Sequence, residues 1–338
     1  MIFKAIKKNN SSRKRLIYLR CRKIIQYKQC TQGVSMTVNA KTRPIDMVGS
    51  DIDIIDSNHD ILGESLIWDK DKQLLWWVDG IGMFIHRLDP STNKKQSWQM
   101  TEEIGSIGLR QKGGLVVGMR SGLYFFNPDN GALTEIVKPD ADRPGNRFND
   151  GKVDRHGRFW TGTVQASAYT PRGRLWRLDA DLKANLIMEG ITCINGISFS
   201  PDNRLMYFTD SFSCRIDVFD YDATDGAIYN RRHFADVPLG RGMCDGSTVD
   251  ADGCFWSANM DGWCVTRYDP RGRIDTVINL PVRRVTSLCF GGPNLDTLYI
   301  TTARRRMKEK ELAQQPLAGC LLAVNAGIQG LEEPKFLG

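Results

Sequence analysis

Residues 147–160 read Arg147-Phe148-Asn149-Asp150-Gly151-Lys152-Val153-Asp154-Arg155-His156-Gly157-Arg158-Phe159-Trp160. A polar residue opens a short run, a glycine-containing turn follows, and an aromatic pair starts a second run. Two short runs around such a turn read as a hairpin. The pattern recurs along the chain. Glu64 lies eight residues before Lys72, Asn149 eight before Gly157, Asn195 eight before Asn203 and Asp245 eight before Gly253. Each precedes an aromatic-rich run: Leu75-Trp76-Trp77, Phe159-Trp160, Met206-Tyr207-Phe208 and Phe255-Trp256.

Six units align on first strands near Leu66, Ile107, Val153, Ile197, Thr248 and Leu288, spaced 41, 46, 44, 51 and 40 residues apart. Periods of about 40–50 residues with four short strands each predict an all-β, six-bladed β-propeller. A β-sandwich or two barrels would not need six similar units, and no series of Trp-Asp dipeptides marks a WD40 array. Residues 318–325 or the stretch near Ile52–Ile55 are expected to add a strand to the first unit and close the ring. A helix is expected only around Met307–Gln314.

The chain has 338 residues and a formal charge of +7, but residues 1–35 hold ten Lys or Arg and no acid. The remainder is therefore mildly acidic, which gives no electrostatic case for a nucleic-acid partner. No run approaches the roughly 18 apolar residues of a membrane helix. We read residues 1–45 as a basic N-terminal extension without order and 46–338 as the propeller. Met36 is a candidate start; a targeting peptide and a basic arm are the alternatives. Nine scattered cysteines without CxxC spacing read as buried free thiols of a reducing, cytoplasmic compartment.

In a propeller the first strand of each blade lines the central channel. Glu64, Asn149, Asn195 and Asp245 would then bring four oxygens together at one mouth. An all-oxygen set of carboxylates and amides suits a hard divalent cation, Ca²⁺ first, with Mg²⁺ and Mn²⁺ behind it; zinc lacks its preferred His and Cys. Units two and six carry Gly105-Ser106 and Thr286-Ser287 instead, which leaves a side open for substrate. The period of a strand puts Arg147 on the face of Asn149, where a guanidinium can hold hydroxyls or anionic oxygen. The alternative for each residue is a strand or turn cap, and for Arg147 a surface salt bridge. No GxSxG, HExxH, P-loop or GxGxxG motif is present. His86 and His156 read as surface residues.

Gly63-Glu64-Ser65 with Trp68, the stretch 147–154, Asn195-Gly196 with Ser200-Pro201-Asp202, and Gly242-Met243-Cys244-Asp245-Gly246 resemble the regucalcin/gluconolactonase family. The resemblance runs from about residue 60 to Thr301-Thr302-Ala303. It implies a six-bladed propeller with one divalent metal in the central channel (Ca²⁺, or Zn²⁺, Mn²⁺, Mg²⁺ or Fe²⁺), and sugar lactonase activity. It further implies Glu64, Asn195 and Asp245 as metal ligands, Asp245 also as general acid/base, and Arg147 and Asn149 as substrate contacts. Some members place a substrate-contacting glutamate where this chain reads Thr163-Val164-Gln165-Ala166-Ser167, without an acid. The expected reaction is hydrolysis of a small sugar lactone to an aldonic acid. The alternatives are an organophosphate or aryl-ester hydrolase on the same scaffold, or a non-catalytic calcium-binding regulatory propeller.

Overall fold

The computed structural model describes residues 45–47, 52–167 and 169–338. The basic segment 1–35 and Met36 lie outside the described residues, and with them the expected lack of order. Six antiparallel sheets follow one another in chain order. Five are built on four-strand meanders and the sixth on three consecutive strands plus one from earlier in the chain; the inner strands are Gly63–Asp69, Ile104–Leu109, Asn146–Val153, Ile194–Phe199, Met243–Val249 and Val285–Gly291. Neighbouring inner strands pack in the order one to six and back to one, so the expected propeller is observed, with blades numbered accordingly.

The core sits between blades. Ile104–Leu109, Ile194–Phe199 and Met243–Val249 are buried on both faces, because each is covered by the blade on either side. Such strands need apolar or small residues throughout rather than alternation. Trp160 of blade 3 packs with Ile194, Phe199 and Phe208 of blade 4. Trp76 and Val78 of blade 1 pack with Ile107 and Val117 of blade 2. Outermost strands face water, and Lys94–Gln99 is largely exposed. Buried indoles are tied down by carboxylates: Trp160 Nε1 donates to Asp154 at 2.9 Å and Trp256 Nε1 to Asp250 at 2.8 Å. These bonds satisfy the polar end of a large apolar side chain.

Ring closure differs from expectation. Among the described residues no strand is added to the first blade. Instead Leu321–Asn325 is the third strand of blade 6, and Ile52–Asp56 pairs antiparallel with it as the fourth. The N-terminal strand thus completes the last blade. A further short strand, Ile45–Met47, runs parallel to Ile274–Asn279 on the edge of blade 5. The expected helix is present as Glu309–Gln314.

After Asn325 the chain crosses the end of the channel where the inner strands finish. Gly330 pairs with Asp250 of blade 5, and Phe336 bridges to Arg110 of blade 2. Phe336 is fully buried against Val116, Val153 and Phe159. Glu333 accepts from Lys152 Nζ at 2.7 Å inside the channel.

Two readings of isolated residues are corrected. His86 is 1% exposed, tilted against the Trp77 ring and held between Asp60 and Ser97. It lies on a third strand that the neighbouring blade covers, so it belongs to the core. Cys193, Cys244, Cys254, Cys264, Cys289 and Cys320 are free thiols as expected, but Cys214 is disulfide-bonded.

Candidate active site

All six inner strands break register at the same level. In blade 1, Glu64 pairs with Val78 and the next pair is Ile67 with Trp76. In blade 3, Phe148 pairs with Thr163 and then Gly151 with Thr161. Equivalent shifts lie between Asn195 and Ser198, between Cys244 and Ser247, between Ile104 and Ser106, and between Val285 and Ser287. Each is a β-bulge, one extra residue in the inner strand. A bulge bends the strand and re-aims the side chains beside it. Ser65 (φ 52°) and Gly196 (φ 62°) take up the left-handed backbone at two of them.

The bulges refine the expected equivalence of the four oxygen donors. Glu64 and Asn195 occupy the last paired position before the bulge. Asn149 and Asp245 are the first residues inside it, following Phe148 and Cys244. The turns beyond them differ in length, so counting back from a turn residue hid the one-residue offset. Blades 1 and 4 face each other across the ring, which sets Glu64 opposite Asn195. Asn149 and Asp245 flank Asn195 from blades 3 and 5.

Hydrogen bonds run from blade to blade at this level. Asn149 Nδ2 donates to Asn195 Oδ1 at 2.9 Å and to Ile194 O at 2.9 Å. Asn195 Nδ2 donates to Ser211 Oγ at 2.7 Å, and Ser211 Oγ donates to Cys244 O at 2.8 Å. The network orients the Asn195 amide so that its oxygen, an acceptor with a second lone pair, is left for the channel. Gly105 explains how Asn149 reaches this place. A Cβ there would stand 2.3 Å from the Phe148 carbonyl and 2.6 Å from the Asn149 nitrogen. Any larger residue in blade 2 would push the blade 3 bulge away.

Asp150, given no role by the repeat, is the residue the pattern missed. It is the second bulge residue of blade 3. Its carboxylate accepts from Ile197 N at 3.2 Å and Gly151 N at 2.9 Å. Burial raises its pKa from 3.8 to about 6, against the opposing pull of those backbone bonds and of Lys152. Glu64 is pushed well above the usual carboxylate range by burial, then by the charges of Asp245 and Asp150. Asp245 is pushed up by burial, then by Asp150. Three acids that resist ionising together in one cavity are the electrostatic signature of a site for added positive charge. A signal was available in the Asn149-Asp150-Gly151 triplet, where an acid stands next to a donor just before a glycine.

The donors fit a hard cation. Glu64, Asp245 and the Asn195 oxygen are all oxygen ligands, and neither carboxylate is spent on a hydrogen bond in the described structure. Among the described residues no three acidic, histidine or cysteine side chains are gathered closely enough to cage an ion by themselves. An ion held here would therefore complete its shell with the amide, water or substrate. Cys193 lies 3.7 Å from Asn195 Nδ2, but burial drives its thiol far up, so it stays protonated.

Arg147 pairs with Val164 on the ladder just before the bulge. It is 5% exposed, with Nη1 donating to Phe148 O at 2.8 Å and Nε 3.7 Å from Glu103. Its charge lowers the pKa of both Glu64 and Asp245, so it faces the acids rather than solvent.

The fold and this site have relatives. The chain is 37% identical over 280 residues to 6-deoxy-6-sulfogluconolactonase of Pseudomonas putida, covering 82% of this chain and 96% of that one. It is 35% identical over 284 residues to regucalcin of Xenopus laevis, covering 82% and 95%. Among solved structures, a calcium-binding regucalcin from Agrobacterium tumefaciens superposes with a TM-score of 0.82 at 26% identity, covering 86% of this chain and 98% of that one. A luciferin-regenerating enzyme superposes at 0.78 with 29% identity, covering 84% and 98%. Residues 62–304, which begin just before Glu64 and end beyond the second strand of blade 6, match the SMP-30/Gluconolactonase/LRE-like region, and the chain belongs to that family.

Proposed function

We infer that this protein is a metal-dependent lactonase that opens sugar lactones to aldonic acids. The observation that carries the reading is the group of three carboxyls, half-buried Glu64 and Asp150 and buried Asp245, each raised above the usual carboxylate range beside Arg147. The names of the relatives support the substrate class: a sulfogluconolactonase, and a putative sugar lactone lactonase of Bacillus subtilis at 31% identity. The calcium-binding description of the Agrobacterium regucalcin supports a divalent ion, with calcium first.

Lactone hydrolysis needs a polarised carbonyl, a nucleophilic water and a proton for the leaving alkoxide. A divalent ion held by Glu64, Asn195 and Asp245 would supply Lewis acidity toward the carbonyl oxygen. Asp245, as carboxylate, takes a proton from the attacking water as the new C–O bond forms. It returns that proton to the ring oxygen as the acyl–oxygen bond breaks. Asp150 stays close enough to keep Asp245 basic. Arg147 and the free oxygen of Asn149 hold the sugar hydroxyls and orient the ring. The blade-to-blade hydrogen bonds keep these groups in place before substrate arrives, which is what orientation requires.

The test is acid release from a panel of five- and six-membered aldonolactones, one aryl ester and one phosphotriester, with and without chelator. Chelator-sensitive turnover of the aldonolactones alone supports the reading. Turnover only of the ester or phosphotriester, or none at all, overturns it.

A further inference from the structure

Two arginines face the acids, and the mechanism above uses one. Arg305 follows Thr297–Thr302, the second strand of blade 6. Its backbone N–H donates to Ile61 O at 2.8 Å, and Ala303 pairs with Leu62. These contacts set Arg305 beside the start of the strand that carries Glu64. The next residue, Arg306, has φ 58° and lays its guanidinium over the Tyr169 ring, 5.4 Å from the centroid. Tyr169 belongs to blade 3, which lies across the ring from blade 6, and it packs on Phe212 of blade 4 with centroids 5.0 Å apart. The segment 303–306 therefore reaches over the channel mouth, and Arg305 is half-buried within that bridge.

Among the described residues the Arg305 side chain has no hydrogen-bond or ion-pair partner. Burial, and then the charge of Arg147, disfavour its own, while Tyr169 and Glu103 favour it. Arg147 is also incompletely used. Its buried Nε makes no hydrogen bond, and Glu103, 3.7 Å away, is already held by Arg120 at 2.7 Å. Arg305 is thus a half-buried guanidinium without a carboxylate partner, beside an Arg147 whose carboxylate is shared, and the planar forks of both match tetrahedral and carboxylate anions.

A simple aldonolactone is neutral, and the single carboxylate it yields forms at the reacting carbon. We propose that the preferred substrate is a sugar lactone carrying a second anionic group, a sulfonate, phosphate or carboxylate remote from the carbonyl, and that Arg305 with Arg147 grips that group. This rests on the lactonase reading and names the substrate class within it.

The test compares glucono-δ-lactone with matched lactones bearing a sulfonate, phosphate or carboxylate at carbon 6, in the wild type and in Arg305→Gln and Arg305→Lys. Binding of the corresponding aldonates is measured by calorimetry. The wild type should favour at least one anionic lactone by about 10- to 100-fold in kcat/KM, the range of one charge-assisted contact. Arg305→Gln should erase most of that ratio through KM and weaken the anionic aldonate by a similar factor. Arg305→Lys should retain part of it, and the arm that responds most identifies the anion. Equal kcat/KM for neutral and anionic lactones, or equal losses on both in Arg305→Gln, overturns the proposal while leaving the lactonase reading standing. Absence of turnover on every lactone overturns both.

Discussion

The Asn149 amide donates to Asn195 Oδ1 at 2.9 Å, and that bond joins the bulge of blade 3 to the donor of blade 4. The geometry of a candidate ligand is thereby set by a neighbour on another sheet. Ser211 fixes the other end of the same amide. Ser211→Ala removes the acceptor that decides which way Asn195 points. Partners that orient a ligand typically contribute 10–100-fold in metal affinity. Calorimetric titration of Ca²⁺ should show a loss in that range for Ser211→Ala, with the circular dichroism spectrum preserved.

Glu64 contributes charge as well as oxygen. Glu64→Gln keeps the size of the side chain and removes the negative charge, so it should weaken divalent-ion binding by at least about 10-fold. Equal occupancy and affinity in wild type and variant, measured by metal analysis and titration, would show that Glu64 is no ligand.

Asp245 is assigned proton transfer, and Arg147 substrate binding. At saturating metal, Asp245→Asn should lower kcat by about 10²–10⁴, the usual range for a missing general base. Arg147→Ala should act mainly through KM. Asp245→Asn with near wild-type turnover would move the proton to another group, and Asp150, the neighbouring acid, would be replaced next.

The acids also predict a pH dependence of stability. Asp150 titrates near 6 in the folded protein rather than near 3.8, and Glu64 and Asp245 are raised as well. Folding of the metal-free protein therefore takes up protons in that window. The stability Asp150 contributes is fully present below pH 3.8 and is lost as pH rises through about 6, and the raised Glu64 and Asp245 act in the same direction. The chelated protein should show a falling Tm across that range, and Asp150→Asn should flatten the fall. Divalent ion should restore Tm at pH 7 far more than at pH 4.5, because protons and the ion compete for the same oxygens.

Phe336 is fully buried between blades 2 and 3, toward the channel end remote from the acids. Phe336→Ala should cost about 3–5 kcal/mol, as large-to-small core changes do. Chemical denaturation would measure it, and metal affinity should change little, because the site lies at the other mouth.

The propeller was legible before the structure because it is periodic, and the candidate donors were picked out by the same period. Glycine- and asparagine-containing turns mark the hairpins, and the aromatic runs mark the second strands. Glu64, Asn149, Asn195 and Asp245 stood out because each opens an inner strand. The bulges were not legible, since an extra residue in one strand is defined only against its partner. The one-residue offset between Glu64 and Asp245 was hidden for that reason. Asp150 was kept only as a fallback for proton transfer, because a strict two-residue period turns it away from Asn149, and the bulge suspends that period. His86 was misread because burial of a third strand depends on the neighbouring blade, which local sequence does not contain.

The closing of blade 6 by Ile52–Asp56 has a consequence for the order of assembly. That strand leaves the ribosome before any blade exists, yet its partner Leu321–Asn325 follows all six inner strands. The ring cannot lock until blade 6 has been made, so blades 1 to 5 must wait as an open arc with unclosed edges. Pairing across some 270 residues is slow, because loop closure comes before the contacts that reward it. Unpaired strand edges are where a half-made chain meets its neighbours wrongly. Substitutions in Ile52–Asp56 should therefore lower the yield of soluble protein more than they lower the melting temperature of the molecules that do fold.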